Sequence, residues 1–136
     1  MPPALAKPRS TLRFGPASRL RHDAEYQAVF DAKVKKSSRG LVVFAKPNNL
    51  AWPRLGLSVG KGSGGAIERN RIKRLIREAF RQLPDLPRLD DSAYDFVVGA
   101  RSAKGLTLDA VANTLLSLVH AVHAVYEKRS RRERGQ

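Results

Sequence analysis

Arg54-Leu55-Gly56-Leu57-Ser58-Val59-Gly60-Lys61-Gly62-Ser63-Gly64-Gly65 runs directly into Ala66-Ile67-Glu68-Arg69-Asn70-Arg71-Ile72-Lys73-Arg74-Leu75-Ile76-Arg77-Glu78-Ala79-Phe80-Arg81-Gln82-Leu83, and this junction decides the fold class. In the first part Leu55, Leu57 and Val59 alternate with small or polar residues, the period of a strand with one buried face. In the second, Ile72, Leu75, Ile76, Ala79, Phe80 and Leu83 fall at i, i+3, i+4, i+7, i+8 and i+11, the period of an amphipathic helix. The Gly-rich turn separates the two. The order strand, turn, helix predicts a mixed α and β chain.

Upstream, Leu41-Val42-Val43-Phe44-Ala45 predicts another strand, with Leu41 and Val43 on one face and Val42 and Phe44 on the other. Pro47-Asn48-Asn49 ends it, and the strand at residues 52–59 is expected as its antiparallel neighbour. Residues 33–36 predict a brief edge strand, turned into the next one by Ser37-Ser38-Arg39-Gly40. Residues 23–32 place Tyr26, Val29 and Phe30 on one face of a short helix, with Asp23 expected to cap it. Downstream, Pro84 and Pro87 stop the long helix, and residues 93–100 form a third long strand. A last helix is expected from the N-cap Thr107 to about Lys128, with Leu108, Val111, Ala112, Leu115, Val119, Val122 and Val125 as its stripe. Three parts result: residues 1–21 as an extended basic arm, 22–128 as an RNA-binding α/β domain, and 129–136 as a basic tail that frays.

The chain has 136 residues, 26 of them Lys or Arg against 12 Asp or Glu, a formal charge of +14. That length suits one domain, and 42% hydrophobic residues suffice for a real core. The excess charge therefore lies on a folded surface, where it repels itself and attracts a polyanion, nucleic acid before all. The absence of cysteine excludes disulfides, thiolate catalysis and cysteine-ligated metal sites. No run is expected to reach the roughly 18 to 20 apolar residues of a spanning helix, and the first residues lack a signal-peptide core. A cytoplasmic protein without a membrane partner is expected.

The helix from Ala66 carries the strongest functional signal. At roughly 100° per residue, Asn70, Lys73, Arg74, Arg77 and Arg81 share its outward side, while Arg69 and Arg71 lie on opposite flanks. A merely solvated face would mix signs at i,i+4 spacing, yet Glu68 and Glu78 are the only acids in the segment. Like charges so spaced cost about a few tenths of a kcal/mol per pair. A partner rich in phosphate neutralises them.

The spelling is more specific than the charge. Residues 66–81, with their Arg69-Asn70-Arg71 core, closely resemble the signature of the bacterial ribonuclease P protein subunit. Arg54-Leu55-Gly56-Leu57-Ser58-Val59-Gly60-Lys61 is similar to the family's preceding strand, and Tyr26-Gln27-Ala28-Val29-Phe30 and Phe96-Val97-Val98-Gly99-Ala100-Arg101 extend the likeness over about residues 19–126. The resemblance implies an α+β fold, a single-domain sandwich of a four-stranded sheet with three helices and a left-handed βαβ crossover. It further implies that the protein is the protein component of an endoribonuclease that matures the 5′ end of tRNA, with the RNA subunit hydrolysing the phosphodiester and binding most of the Mg²⁺. The implied partners are that catalytic RNA and precursor tRNA, with no obligate protein partner.

Carried onto matching positions, Arg69, Asn70, Arg71, Lys73, Arg74, Arg77 and Arg81 would contact the catalytic RNA. Tyr26, Phe30, Val42, Phe44 and Lys61 would hold the single-stranded leader, where aromatic rings stack on bases at about 1 to 3 kcal/mol each. Placement in the core is the competing role for these apolar residues, and for Phe30 and Val42 the two readings stay equally open. Two departures from the family pattern stand out. Lys61-Gly62-Ser63-Gly64-Gly65 stands where many members carry a more basic stretch, and Ser102-Ala103-Lys104 replaces a Lys-Pro type turn.

Other motifs carry less. Gly56-Leu57-Ser58-Val59-Gly60-Lys61-Gly62 is one residue short of a P-loop and lacks its Ser/Thr after the lysine. His120 and His123 at i and i+3 have only His22 to join them and are expected as ordinary surface residues. No residue is assigned to catalysis, and none is named as a metal ligand. The alternative function is a structural RNA-binding protein, of ribosomal or RNA-chaperone type, with no role in cleavage. A stand-alone metal-dependent nuclease ranks third, for want of a catalytic cluster.

Overall fold

Arg39 and Gly40, both at positive φ (51° and 83°), close a tight hairpin between β1 (Lys35–Ser38) and β2 (Leu41–Pro47). The computed structural model describes residues 18–101 and 105–135. The remaining elements are α1 (Asp23–Asp31), β3 (Arg54–Ser58), a 3-10 turn (Lys61–Ser63), α2 (Ala66–Gln82), β4 (Tyr94–Ala100) and α3 (Leu108–Gly135). Three helices and one four-stranded mixed sheet make the α+β domain that was expected.

The pairing differs from the expectation at one point. β3 does not pair with β2. β4 lies between them, antiparallel to β2 and parallel to β3, giving the order β1-β2-β4-β3. Every residue of β4 is buried, so it fits only a central position, whereas β3 exposes Ser58 and keeps Arg54 partly solvated, as an edge strand can. α2 is the crossover between the parallel neighbours β3 and β4.

Two packed layers sit on opposite faces of the sheet. Leu41, Val43 and Ala45 of β2 and Tyr94, Phe96 and Val98 of β4 meet Ile72, Ile76 and Phe80 of α2 and Val111, Leu115, Val119 and Val122 of α3. On the other face Val97 of β4 joins Val29 of α1 and Leu20, with Tyr26, Phe30 and Phe44 packed around them. The alternation within residues 41–45 thus divides as its period predicts.

Local signals hold at some ends and fail at others. Thr107 caps α3, its Oγ1 accepting from the Ala110 N–H at 3.2 Å. Asp23 does not cap α1. His22 is the N-cap residue, and Glu25 reaches back to accept from the N–H groups of Arg21 and His22 at 2.7 and 3.0 Å. α3 does not end near Lys128 but continues to Gly135, since residues 127–134 contain neither Gly nor Pro and are dominated by Arg, Lys and Glu, all good helix formers. Of the expected arm, residues 1–17 lie outside the described residues, as do Ser102-Ala103-Lys104. Residues 18–20 are already part of the domain, because Arg19 bridges to Leu55, and the Leu20 N–H donates to the Leu55 carbonyl at 3.0 Å. By length and composition α3 is long and apolar enough to span a bilayer, contrary to the expectation that no run would be, but its apolar stripe is packed in the core.

Candidate nucleic-acid interface

Inward anchoring by Ile72, Ile76, Ala79 and Phe80 turns the charged positions of α2 outward. Gly64, at a φ of +130° that suits glycine alone, brings the chain into the helix. The Ser63 hydroxyl donates to the Ala100 carbonyl and pins this turn to the end of β4. Gly65 donates its N–H to Glu68 Oε1 at 3.3 Å, closing the first turn of α2. The basic helix is therefore rigidly mounted at both its core face and its start.

Its cations divide into two groups. Among the described residues Arg69, Lys73, Arg74 and Arg77 form no ion pair, and Arg74 and Arg77 are exposed with Asn70 beside them. Arg71 is different: it donates to the Leu106 carbonyl at 2.9 Å and ties α2 to the segment before α3. Arg81 is held by Glu78 at 2.6 and 2.7 Å. Four free cations and Asn70 thus form the one-signed face, and two of the expected members serve the fold or are neutralised.

Strand register lays out the opposite sheet face in rows. Lys35, Phe44, Val97 and Gly56 make one row; Ser37, Val42, Gly99 and Ser58 make the next. Phe30 meets Phe44 edge to face, with ring centroids 4.9 Å apart at 89°. Lys35 Nζ lies 5.7 Å from the Phe44 centroid. Val42 is half-buried and belongs to neither apolar cluster. A Cβ on Gly99 would come within 2.9 Å of the Ser58 carbonyl and 3.1 Å of Val42, so this row stays low only with glycine there. Phe30, Phe44 and Val42, all half-buried, form a partly exposed apolar surface beside α1, and Lys61 is exposed in the turn that leaves β3.

Tyr26 is placed otherwise than Phe44. Its ring lies on Gly56, its hydroxyl accepts from the Leu57 N–H at 3.1 Å, and it lines a groove of about 230 Å³ with Arg19, Leu20, Leu55, Leu57, Lys73 and Arg77. This groove joins the α1 side of the sheet to the free cations of α2. Among the described residues no carboxylate lines it.

Chain order hides a further device. Arg54 makes a two-pronged contact with Asp95 (2.8 and 2.8 Å) and a third with Glu25 at 3.0 Å, and Asn48 completes Asp95 at 2.9 Å. The network locks α1 to the sheet edge. Backbone N–H donors from Arg21 and His22, with Arg54 adding to them, hold the Glu25 carboxyl below its usual range; Asp95 raises Arg54. Sequence separations of 29 and 41 residues leave no local signal for these pairs. His123 is also no ordinary surface residue: its Nδ1 lies 2.7 Å from the hydroxyl of Tyr94, whose pKa burial raises, and its Nε2 lies 3.4 Å from Glu127.

The family model for ribonuclease P matches residues 14–123, and so takes in the aromatic surface, the groove and the free cations of α2 together. The chain belongs to the ribonuclease P protein family. It is 37% identical over 119 residues to the ribonuclease P protein component of Marinobacter nauticus, covering 86% of this chain and 87% of that one. To the component of Methylococcus capsulatus it is 42% identical over 90 residues, 65% of this chain and 67% of the relative. The fold is similar to that of the Staphylococcus aureus RNase P protein (TM-score 0.62, 31% identity, 76% of this chain and 94% of that one). It is also similar to the RNase P protein from Thermotoga maritima (TM-score 0.56, 29% identity, 73% and 92%). Membership in the ribonuclease P family places the chain in tRNA processing, as a protein component of a ribonucleoprotein.

Proposed function

We propose that this chain is the protein subunit that docks on the catalytic RNA of ribonuclease P and holds the 5′ leader of precursor tRNA, promoting endonucleolytic 5′ maturation in the cytoplasm. The observation that carries the reading is the pairing of two surfaces in one small domain: the free cations Arg69, Lys73, Arg74 and Arg77 on a rigid helix, and the half-buried aromatic surface of Phe30 and Phe44 on the other side of the sheet, which we read as the leader cleft. The first suits a folded polyphosphate surface, the second a single strand whose bases are unstacked. The groove lined by Tyr26, Lys73 and Arg77 brings a side chain of α1 beside two of those cations.

Magnesium, implied for the holoenzyme, finds no donor set among the described residues. Among the described residues no three His, Asp or Glu side chains converge, and Glu25 and Asp95 are both engaged by Arg54. We therefore assign the metal and the hydrolytic step to the RNA, and to the protein the binding and positioning of the substrate.

Reconstitution tests the proposal. The chain is combined with the ribonuclease P RNA of the same source, and leader removal is followed at low magnesium. Protein-dependent stimulation is expected; its absence would sink the reading.

A further inference from the structure

The last turns of α3 lie beyond the family-model match, which stops at residue 123, and carry a charge pattern of their own. Residues 127–135 read Glu127-Lys128-Arg129-Ser130-Arg131-Arg132-Glu133-Arg134-Gly135, five cations against two carboxylates. A solvated helix end would pair them at i,i+4, Glu127 with Arg131. Glu127 instead faces His123 at 3.4 Å. Arg134 reaches Asp90, also at 3.4 Å. Lys128, Arg131 and Arg132 are exposed and, among the described residues, form no ion pair.

The extension is also held in place. Tyr126 donates its hydroxyl to the Ala45 carbonyl at 2.7 Å, and Arg129 lies over the Tyr126 ring at 5.8 Å. A helix anchored in this way presents cations without having to order first, so less entropy is lost on binding. Ala45 and Asp90 place the extension at the end of the sheet where β4 begins, whereas Ser63 pins the start of α2 where β4 ends. The basic face of α2 and the extension of α3 are thus two surfaces on neighbouring helices, since Ile72, Ile76 and Phe80 of α2 share one core with Val111, Leu115, Val119 and Val122 of α3. Both belong to helices packed on the same sheet face, opposite α1 and its cleft.

We propose that the C-terminal extension of α3 is a second docking surface for the ribonuclease P RNA, contacting phosphates of its folded backbone through Lys128, Arg131 and Arg132. The occupant is the catalytic RNA rather than the leader, because the extension and the free cations of α2 belong to helices on one side of the sheet, whereas the residues assigned to the leader lie on the α1 side. The inference rests on the proposed docking of α2 on the same RNA.

The test uses the full chain with Lys128→Gln, Arg131→Gln and Arg132→Gln combined, since glutamine keeps helix propensity and these side chains are exposed. Affinity for the ribonuclease P RNA is expected to fall on the order of tenfold, and the slope of log affinity against log salt to become shallower by roughly two to three. The ratio of affinities for leader-bearing and leaderless precursor should not move. Bound RNA should also protect Lys128, Arg131 and Arg132 from trypsin. Unchanged affinity and slope, with Arg74→Ala still weakening the complex, overturns the second surface and leaves the α2 reading intact. A loss confined to precursor tRNA overturns it as well. If Arg74→Ala is also without effect, the docking of α2 falls with it.

Discussion

The ring of Tyr26 lies flat against Gly56: a Cβ at that glycine would stand 2.7 Å from Tyr26 Cε2 and 2.8 Å from Cζ. The same tyrosine accepts a hydrogen bond from the N–H of Leu57, the next residue on β3. One side chain of α1 thus covers the edge strand and satisfies its backbone, while its other side lines the groove shared with Lys73 and Arg77.

Gly56→Ala should therefore push the ring away and break that bond, because the near contacts are ring atoms anchored at both ends. Destabilisation of about 1 to 3 kcal/mol is expected in urea titration. Tyr26→Phe keeps the ring and loses only the acceptor, costing about 1 kcal/mol. Equal stability of Gly56→Ala and the parent would contradict this packing.

The clamp on Arg54 predicts an acid-sensitive fold. Glu25 is held below its usual range, so its contribution is present above the unfolded-state pKa of about 4.3 and is lost as pH falls through its lower folded value. Stability should decline below about pH 4.5, and Glu25→Gln should flatten that decline. Asp95→Ala, which leaves the Arg54 guanidinium without its two-pronged partner, should cost on the order of 3 kcal/mol at neutral pH. Stability measured against pH for the three proteins decides the matter.

Arg74 and Arg71 sit three residues apart on one helix but should fail differently. Arg74→Ala removes an exposed, unpaired cation; affinity for the ribonuclease P RNA should drop and its salt slope lessen by about one, with the fold unchanged. Arg71→Ala removes the bond to the Leu106 carbonyl and should lower stability by about 1 to 2 kcal/mol. Parallel binding and unfolding curves separate the two roles.

Phe44→Ala should lower affinity for precursor tRNA with a long leader by about 5- to 150-fold, the equivalent of one lost stacking contact, and leave leaderless substrate nearly unchanged. Equal losses on both would assign Phe44 to packing against Phe30 rather than to the cleft. Lys35, which lies over the same ring, predicts a smaller loss of the same kind for Lys35→Gln.

Periodicity and composition by themselves determined the helices and strands, the outward charge of α2, the division of Leu41 and Val43 from Val42 and Phe44, and the Thr107 cap. Each is a property of spacing within one element, and the spacing is visible in the chain. The order of the strands was not legible. Local pattern marks β3 as a strand but cannot say that β4, about 40 residues later, takes the place beside it through a crossover.

Tertiary structure alone decided which cations are free. Arg69, Arg71, Lys73, Arg74 and Arg77 look alike in the chain, yet Arg71 meets a carbonyl 35 residues away. It also made Gly56 a seat for Tyr26 and joined Arg54 to Glu25 and Asp95. The physical reason is the same in each case. A charge or an aromatic ring acquires its role from the neighbour that folding brings to it, and most of those neighbours are distant in sequence.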